Sequence, residues 1–190
     1  MSVKLQGKNC ILREWEVHDL ELLYMWRNSK DYLDFCSLRK VSNSFDEFKD
    51  EFYQDLNIDR QDQFIILRKA DEIEIGTIFL YGLNIFHQNA FITTFIDESM
   101  HNKGYGVEAF AIFCIYAFEK YNLHKIISDV YSNNSTVPKM LKYSGFVEEG
   151  RFKEHRKNSR GEWLDVIRLS LFNSDALKLK LFVTKITQEC

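Results

Sequence analysis

The chain of 190 residues is 45% hydrophobic and 28% charged, with a formal net charge of −3 at pH 7. This length and composition suit one compact domain, residues 1–190, with a substantial core. The charge balance argues against a nucleic-acid partner, and no apolar run approaches the ~18 residues of a membrane span. We expect reduced thiols, a cytoplasmic location and no metal site, because the four cysteines are widely spaced: Cys10, Cys36, Cys114 and Cys190.

Turn residues divide the chain into β-rich runs and runs with apolar side chains at helical spacing. After a first strand, helical spacing begins at Val17, and a second helix follows the capping-box pair Ser44 and Glu47. Three β-rich runs then predict an antiparallel meander, and the strongest helical stripe runs from Val107 to Phe118. The predicted strands are about 9–13, 63–68, 73–83, 90–97, 125–131, 146–155 and 162–171.

The order of these elements predicts the fold class. A helix between the fifth and sixth strands ends by Tyr143-Ser144 and is followed by Gly145, and the last eighteen residues are predicted as a short helix and a tail. Alternation of single strands, a meander and helices requires parallel and antiparallel pairs in one sheet. We therefore predict an α/β (α+β) fold with a central mixed sheet of about seven strands and helices on both faces. Its core spans about 9–172 and its tail 173–190.

The segment after the fourth predicted strand carries the clearest sign of ligand binding. Gly104 and Gly106 lie in a short polar loop directly before a helix, although the chain has only eight glycines. Unpaired N–H groups and the helix dipole make such a loop an anion site, so a pyrophosphate cradle is the simplest interpretation. An ordinary strand-to-helix turn is the alternative. The chain lacks the further residues that the dinucleotide fingerprint and the Walker loop each require.

The loop from His101 to Gly106, His-Asn-Lys-Gly-Tyr-Gly, resembles the Q/R-x-x-G-x-G/A loop of the GCN5-related N-acetyltransferases, the GNAT family. In that family the loop binds the pyrophosphate of acetyl-coenzyme A; here His101 replaces the usual Gln or Arg. The resemblance implies a GNAT fold with acetyl-CoA as co-substrate and no metal. It implies coenzyme contacts from Phe95, Ile96, Asp97, Asn102, Lys103, Gly104, Tyr105, Gly106, Val107 and Asn134.

A second stretch, from Asn134 to Phe146, is similar to the family pattern N-x-x-S-x-x-x-Y-x-x-x-G-F. Asn134 and the final Gly-Phe are kept, but Val137 and Leu141 replace the serine and the tyrosine. In the family that tyrosine protonates the departing thiolate. Tyr143 lies about 200° further around a helix and cannot simply take its place.

The segments 145–155 and 161–165 look like those of the Rim-type subgroup, which includes ribosomal-protein, spermidine and amino-sugar acetyltransferases. This likeness implies a primary amine as acceptor, either a small molecule such as a polyamine or amino sugar, or a peptide N-terminus. A homodimer is one assembly that we expect. We expect no nucleic-acid or membrane partner.

The implied chemistry is direct attack of a neutral amine on the thioester in a ternary complex. The backbone of Phe95 and Ile96 would polarise the carbonyl group. Glu98, Glu154 and His155 are candidate proton acceptors, and each is equally consistent with an ordinary surface residue. Two other classes stay open: a catalytically degenerate acyl-CoA-binding or sensing module, and an unrelated α/β interaction protein.

Overall fold

The strands of the computed structural model, which describes residues 3–36, 44–158, 160–176 and 178–179, join in one sheet. They are β1 (Lys4–Gln6), β2 (Cys10–Glu14), β3 (Arg60–Arg68), β4 (Ile73–Asn84), β5 (Asn89–Ile96), β6 (Lys125–Tyr131), β7 (Val147–Lys157) and β8 (Trp163–Phe172). The strand order is β1-β2-β3-β4-β5-β6-β8-β7. Every pair is antiparallel except β5 and β6, which run parallel.

Local hydrogen bonds and backbone geometry set the ends of several helices. The helices are α1 (Leu20–Arg27), α2 (Lys30–Phe35), α3 (Phe45–Ile58), α4 (Tyr105–Tyr121) and α5 (Val137–Tyr143). The Ser44 hydroxyl accepts a hydrogen bond from the Glu47 N–H at 3.1 Å, which caps α3 as the sequence predicts. Asn122 at φ 48° ends α4, and Gly145 at φ 102° follows α5.

Each face of the sheet packs against helices through its own group of apolar side chains. On one face, α4 and α5 contribute Phe110, Phe113 and Leu141. On the other face, α1 and α3 contribute Trp26 and a set of phenylalanines, and Phe95 of β5 joins them. Burying each phenylalanine contributes about 1.5–3 kcal/mol. Neighbouring residues of β5 thus divide between the two cores, so a ligand between β5 and β6 can reach both faces.

The fold class and the arrangement of helices on both faces are confirmed, with eight strands instead of about seven. The additional strand is β1, whose three residues are too few to show an alternating pattern. Helix α2 was not predicted either, and the helix predicted from Val17 begins as a 3₁₀ turn, Val17–Asp19. Of the predicted C-terminal segment, Asn173–Asp175 form a 3₁₀ turn, and residues 180–190 lie outside the described ones. Among the helices that are described, none has the length and hydrophobicity that a membrane span requires.

Candidate active site

A cleft opens in the middle of the sheet because β5 and β6 separate after a short parallel ladder. The ladder pairs Asn89, Ala90 and Phe91 with Lys125, Ile126 and Ile127 and goes no further, although both strands continue. The gap between the two strands forms a cavity of about 690 Å³. Its strand walls are residues 92–96 of β5 and 128–131 of β6, and the glycine loop, α2 and α5 also line it.

The backbone of β5 presents polar groups to this gap. The Asp97 N–H donates to the Ile75 carbonyl at 2.9 Å. Along an antiparallel strand the bonded residues alternate, so Phe95 also faces β4, while Thr94 and Ile96 face the gap. Two contacts agree with this: the Cys36 Sγ lies 3.6 Å from the Thr94 carbonyl oxygen, and the His101 Nε2 lies 2.8 Å from that of Ile96.

This alternation corrects the predicted role of the Phe95 backbone in polarising the carbonyl group. The amides of Phe95 and Asp97 are directed at β4, and the Asp97 side chain accepts from the Ser99 hydroxyl at 2.6 Å, outside the cleft. The sequence alone could not show this because it does not reveal which side of a strand carries the neighbouring pair. The role of Ile96 stays a prediction, and Thr94 joins it as a second amide on the correct side.

The glycine loop has the geometry of an anion cradle. Gly104 caps α4 at φ 85°, in the left-handed region, and a Cβ built there would meet no atom within 4 Å. A Cβ on Gly106 would lie 3.2 Å from the Ile96 Cγ1, so the small residue lets the loop approach β5 closely. The N–H groups of Tyr105, Gly106 and Val107 begin the helix, where no intrahelical acceptor exists for them. The residues present therefore fit a pyrophosphate group.

The side chains of the loop differ in their orientation. Asn102 lines the cleft together with the loop glycines, whereas the Lys103 ammonium group turns back and donates to the Ser99 carbonyl at 2.9 Å. His101, at the position that departs from the family pattern, bonds the Ile96 carbonyl. Its Nδ1 also lies 3.7 Å from the Asp31 carboxylate of α2. His101 thus joins the loop, the strand and the opposite wall of the cleft.

Helix α5 borders the cleft through its first turn. The Asn134 side-chain oxygen accepts from the Val137 N–H at 3.1 Å and so caps the helix, and both residues line the cleft. Leu141, at the position of the family tyrosine, is completely buried in the core. Tyr143 is 77% exposed.

The structure places the predicted catalytic side chains outside the cleft. Glu98 lies in a 3₁₀ turn beside a separate, smaller hollow. Glu154 and His155 are exposed on β7, and the His155 ring packs 5.3 Å from that of Phe152. The structure therefore does not bring these three side chains into the cleft, and their role as proton acceptors stays an untested prediction. Glu154 has φ 47° at an irregularity in the β7–β8 pairing, and beyond it Arg156 lines the cleft.

The fold also brings together an acidic and aromatic wall on the side of α2 and α3, and apart from Asp31 its residues were not among those that the sequence suggested. Burial, with a smaller contribution from Asp129, raises the pKa of Tyr81 to about 12, and burial with the nearby Asp31 raises that of Cys36 to about 12. The spacing of these residues along the chain carries no signal, because α2, α3 and the sheet meet only in the fold. The wall consists of Asp31, Tyr32, Phe35, Asp55, Asp59, Phe79, Tyr81, Asp129 and Tyr131.

Separated parallel strands, an anion cradle at a helix N-terminus and an acidic wall define an acyl-coenzyme A-dependent transferase. The family model described as "Acetyltransferase (GNAT) domain" matches residues 9–147. The chain therefore belongs to the GNAT family of acetyltransferases and is an acetyl-CoA-dependent acyltransferase.

Proteins similar to this chain are named as N-acetyltransferases. "Probable N-acetyltransferase YjcK" of Bacillus subtilis is 29% identical over 178 residues, which cover 90% of this chain and 98% of the relative. "Uncharacterized N-acetyltransferase p20" of Bacillus licheniformis is 27% identical, and the match covers 90% of this chain and 97% of the relative. A crystal structure of spermidine N-acetyltransferase from Vibrio cholerae, in complex with CoA and spermine, matches with a TM-score of 0.82. It is 25% identical and covers 90% of this chain and 99% of that one.

Proposed function

We propose that the protein transfers the acetyl group of acetyl-CoA to a primary amine by direct attack in a ternary complex. The observation that carries this proposal is the convergence, in one cleft, of the glycine-loop amides, the separated β5 and β6, and an acidic wall. When bound, acetyl-CoA would supply the activated thioester. The chain itself would supply orientation, hydrogen-bond donors and charge.

The glycine loop would hold the pyrophosphate, and the gap would hold the pantetheine arm. Residues 104–107 line the cleft at the start of α4, while Asn134 and Val137 border the gap on its other side. The Ile96 N–H, directed into the gap, would donate to the thioester oxygen, where negative charge develops during attack. Holding both reactants in one cleft supplies much of the rate acceleration.

The acidic wall supports an amine as the acceptor. Asp31, Asp55 and Asp59 line the cleft on the side of α2 and α3. Each carboxylate attracts an ammonium group at 4 Å by about 1 kcal/mol in water-like surroundings, which is roughly fivefold in affinity. The similarity to a spermidine N-acetyltransferase agrees with an acceptor of polyamine type. An amino sugar and a peptide N-terminus remain in the proposal. A cytoplasmic location and a homodimer stay predictions.

The test is release of coenzyme A thiol, followed with DTNB, across a panel containing spermidine, an amino sugar and a short peptide. Turnover with any of these amines supports the proposal. Calorimetry that detects CoA binding without turnover across the panel would support a binding or sensing module instead. Absence of CoA binding would contradict the proposal altogether.

Charge variants then test the acceptor side. Asp55→Asn should raise KM for the best amine about fivefold and leave KM for acetyl-CoA unchanged. Asp46→Asn, at the exposed start of the same helix, is the matched control. Equal KM values for the amine in both variants would show that the acidic wall does not bind the acceptor.

A further inference from the structure

Expulsion of coenzyme A places a negative charge on sulfur inside the cleft. In surroundings less polar than water this charge is costly, and a donor aimed at the sulfur lowers the barrier for breaking the C–S bond. The Ile96 N–H would be committed to the carbonyl oxygen. A second donor must therefore lie close to Ile96 but on the opposite wall of the gap.

The strand register identifies the part of β6 that faces Ile96. The parallel ladder pairs Phe91 with Ile127, and continuing the same offset along both strands brings Tyr131 level with Phe95. Because side chains alternate along a strand, Tyr131 shares the face of Ile127, as Phe95 shares that of Phe91. Tyr131 is only 7% exposed and lines the cleft. Tyr131 therefore lies at the open end of the gap, level with Phe95 and one residue short of Ile96 along the strand direction.

Other cleft groups are less suited to this role. Tyr81 pairs with Phe91 and so lies level with the closed end of the gap. The two oxygens of the Asp129 carboxylate accept bonds of 2.7 and 2.8 Å from the Arg168 guanidinium, so this side chain is held by Arg168. The Cys36 thiol is engaged with the Thr94 carbonyl.

We propose that the Tyr131 hydroxyl is the hydrogen-bond donor to the leaving sulfur, a role that rests on the proposed function. The amine nitrogen bonds to the thioester carbon, and the intermediate collapses with cleavage of the C–S bond. The electron pair of that bond goes to sulfur, which the Tyr131 hydroxyl stabilises and protonates. The proton that the amine loses returns to the tyrosine oxygen through solvent. The products are the acetylated amine and the free thiol of coenzyme A.

The surroundings of Tyr131 keep its hydroxyl in the donating form. Burial raises the pKa of Tyr131 strongly, and the nearby Arg156 partly opposes that rise. The group therefore stays protonated throughout the working pH range, and Arg156 also favours a transient negative charge beside it. Such a donor acts mainly by stabilising the sulfur as charge develops.

The first test is Tyr131→Phe, assayed with the amine that the wild-type protein acetylates fastest. We expect kcat to fall about 100-fold, as for loss of an acid catalyst. KM for acetyl-CoA and Kd for CoA should change less than threefold, because the ring is retained. Tyr143→Phe removes the same hydroxyl from an exposed site and should match wild type. A Tyr131→Phe variant with CoA affinity intact and kcat within twofold of wild type would overturn the assignment.

A fluorinated tyrosine at position 131 provides a second variant of nearly the same shape, with a more acidic hydroxyl. At neutral pH it should change kcat by about twofold or more and leave Kd for CoA unchanged, because the acidity of the donor changes and its shape does not. Equal kcat values for both proteins would contradict the role. Wild type that acetylates no amine would count against the proposed function and this role together. Active wild type with equally active Tyr131→Phe would overturn only the role of Tyr131.

Discussion

Substitution of Gly104 by aspartate tests the anion cradle, and a matched position exists elsewhere in the chain. Gly104 and Gly161 have φ values of 85° and 83°, and a Cβ at either site would meet no atom within 4 Å. Aspartate and asparagine tolerate this region better than most residues, so each replacement should cost about 1 kcal/mol of folding stability at either site. Only Gly104 lies in the cleft.

The expected loss of affinity follows from the added charge. A carboxylate 4 Å from one phosphate charge is repelled by about 1 kcal/mol in water-like surroundings and by about 4 kcal/mol near a protein surface. Gly104→Asp should therefore weaken CoA binding by between about fivefold and about 1000-fold. Gly104→Asn, which adds the same bulk without charge, should bind within a few-fold of wild type.

Isothermal titration with CoA at low ionic strength measures the effect, with circular dichroism as the check of folding. In 1 M salt, where the screening length is about 3 Å, the difference between the aspartate and asparagine variants should shrink. Gly161→Asp should bind like wild type. If folded Gly104→Asp binds CoA as tightly as Gly104→Asn at low salt, no phosphate lies at this loop.

Three further substitutions have definite expected outcomes. Because Leu141 is completely buried, Leu141→Tyr should overpack the core and lower the free energy of unfolding by about 1–3 kcal/mol, without raising kcat. A variant that is as stable as wild type and faster would refute this. Asn134→Ala removes the cap on α5, so the free energy of unfolding, measured by thermal denaturation, should fall by about 1 kcal/mol and kcat/KM for acetyl-CoA should also fall. Unchanged values for both would show that the cap is dispensable. Asp19→Asn should destabilise the protein by about 3 kcal/mol, because Asp19 accepts two bonds of 2.7 Å from Arg13 in a buried position.

The pair formed by Asp19 and Arg13 also sets a pH dependence. Burial raises the pKa of Asp19, but the bonds from Arg13 and from the Glu16 N–H outweigh it and hold the pKa below its usual value of 3.8. A lowered folded-state pKa gives stability that is present above the unfolded value and lost as pH falls through the folded one. Acid titration of unfolding should show this loss below about pH 4 in wild type and a smaller loss in Asp19→Asn. Identical acid profiles would contradict it.

Local patterns were sufficient to predict the fold class and the glycine loop at the start of α4. Gly104 and Gly106 lie within three residues of the apolar helical stripe that begins at Val107, so the loop and the helix are visible in a single segment. Asn134 and Gly145 likewise mark the start and end of α5 within twelve residues. Each of these features depends on the backbone preferences of adjacent residues, which can be inferred directly from the sequence.

The acceptor side could not be predicted, because it depends on contacts between distant segments. Asp31, Asp55 and Tyr131 come from two helices and a strand that meet only when the sheet is complete. His155 lies where the pairing of β7 with β8 is irregular: four residue steps of β7, from Phe152 to Arg156, oppose only two of β8. Such extra residues interrupt the regular alternation of a strand, and the sequence pattern does not show where they occur.

A crystal structure of the protein with acetyl-CoA or CoA tests the central claim most directly. We expect the pyrophosphate on the amides of residues 104–107 and the pantetheine arm between β5 and β6. The sulfur should lie within hydrogen-bonding reach of the Tyr131 hydroxyl, and the thioester oxygen near the Ile96 N–H. Coenzyme A bound away from the glycine loop, or β5 and β6 closed against each other with the ligand elsewhere, would contradict the account.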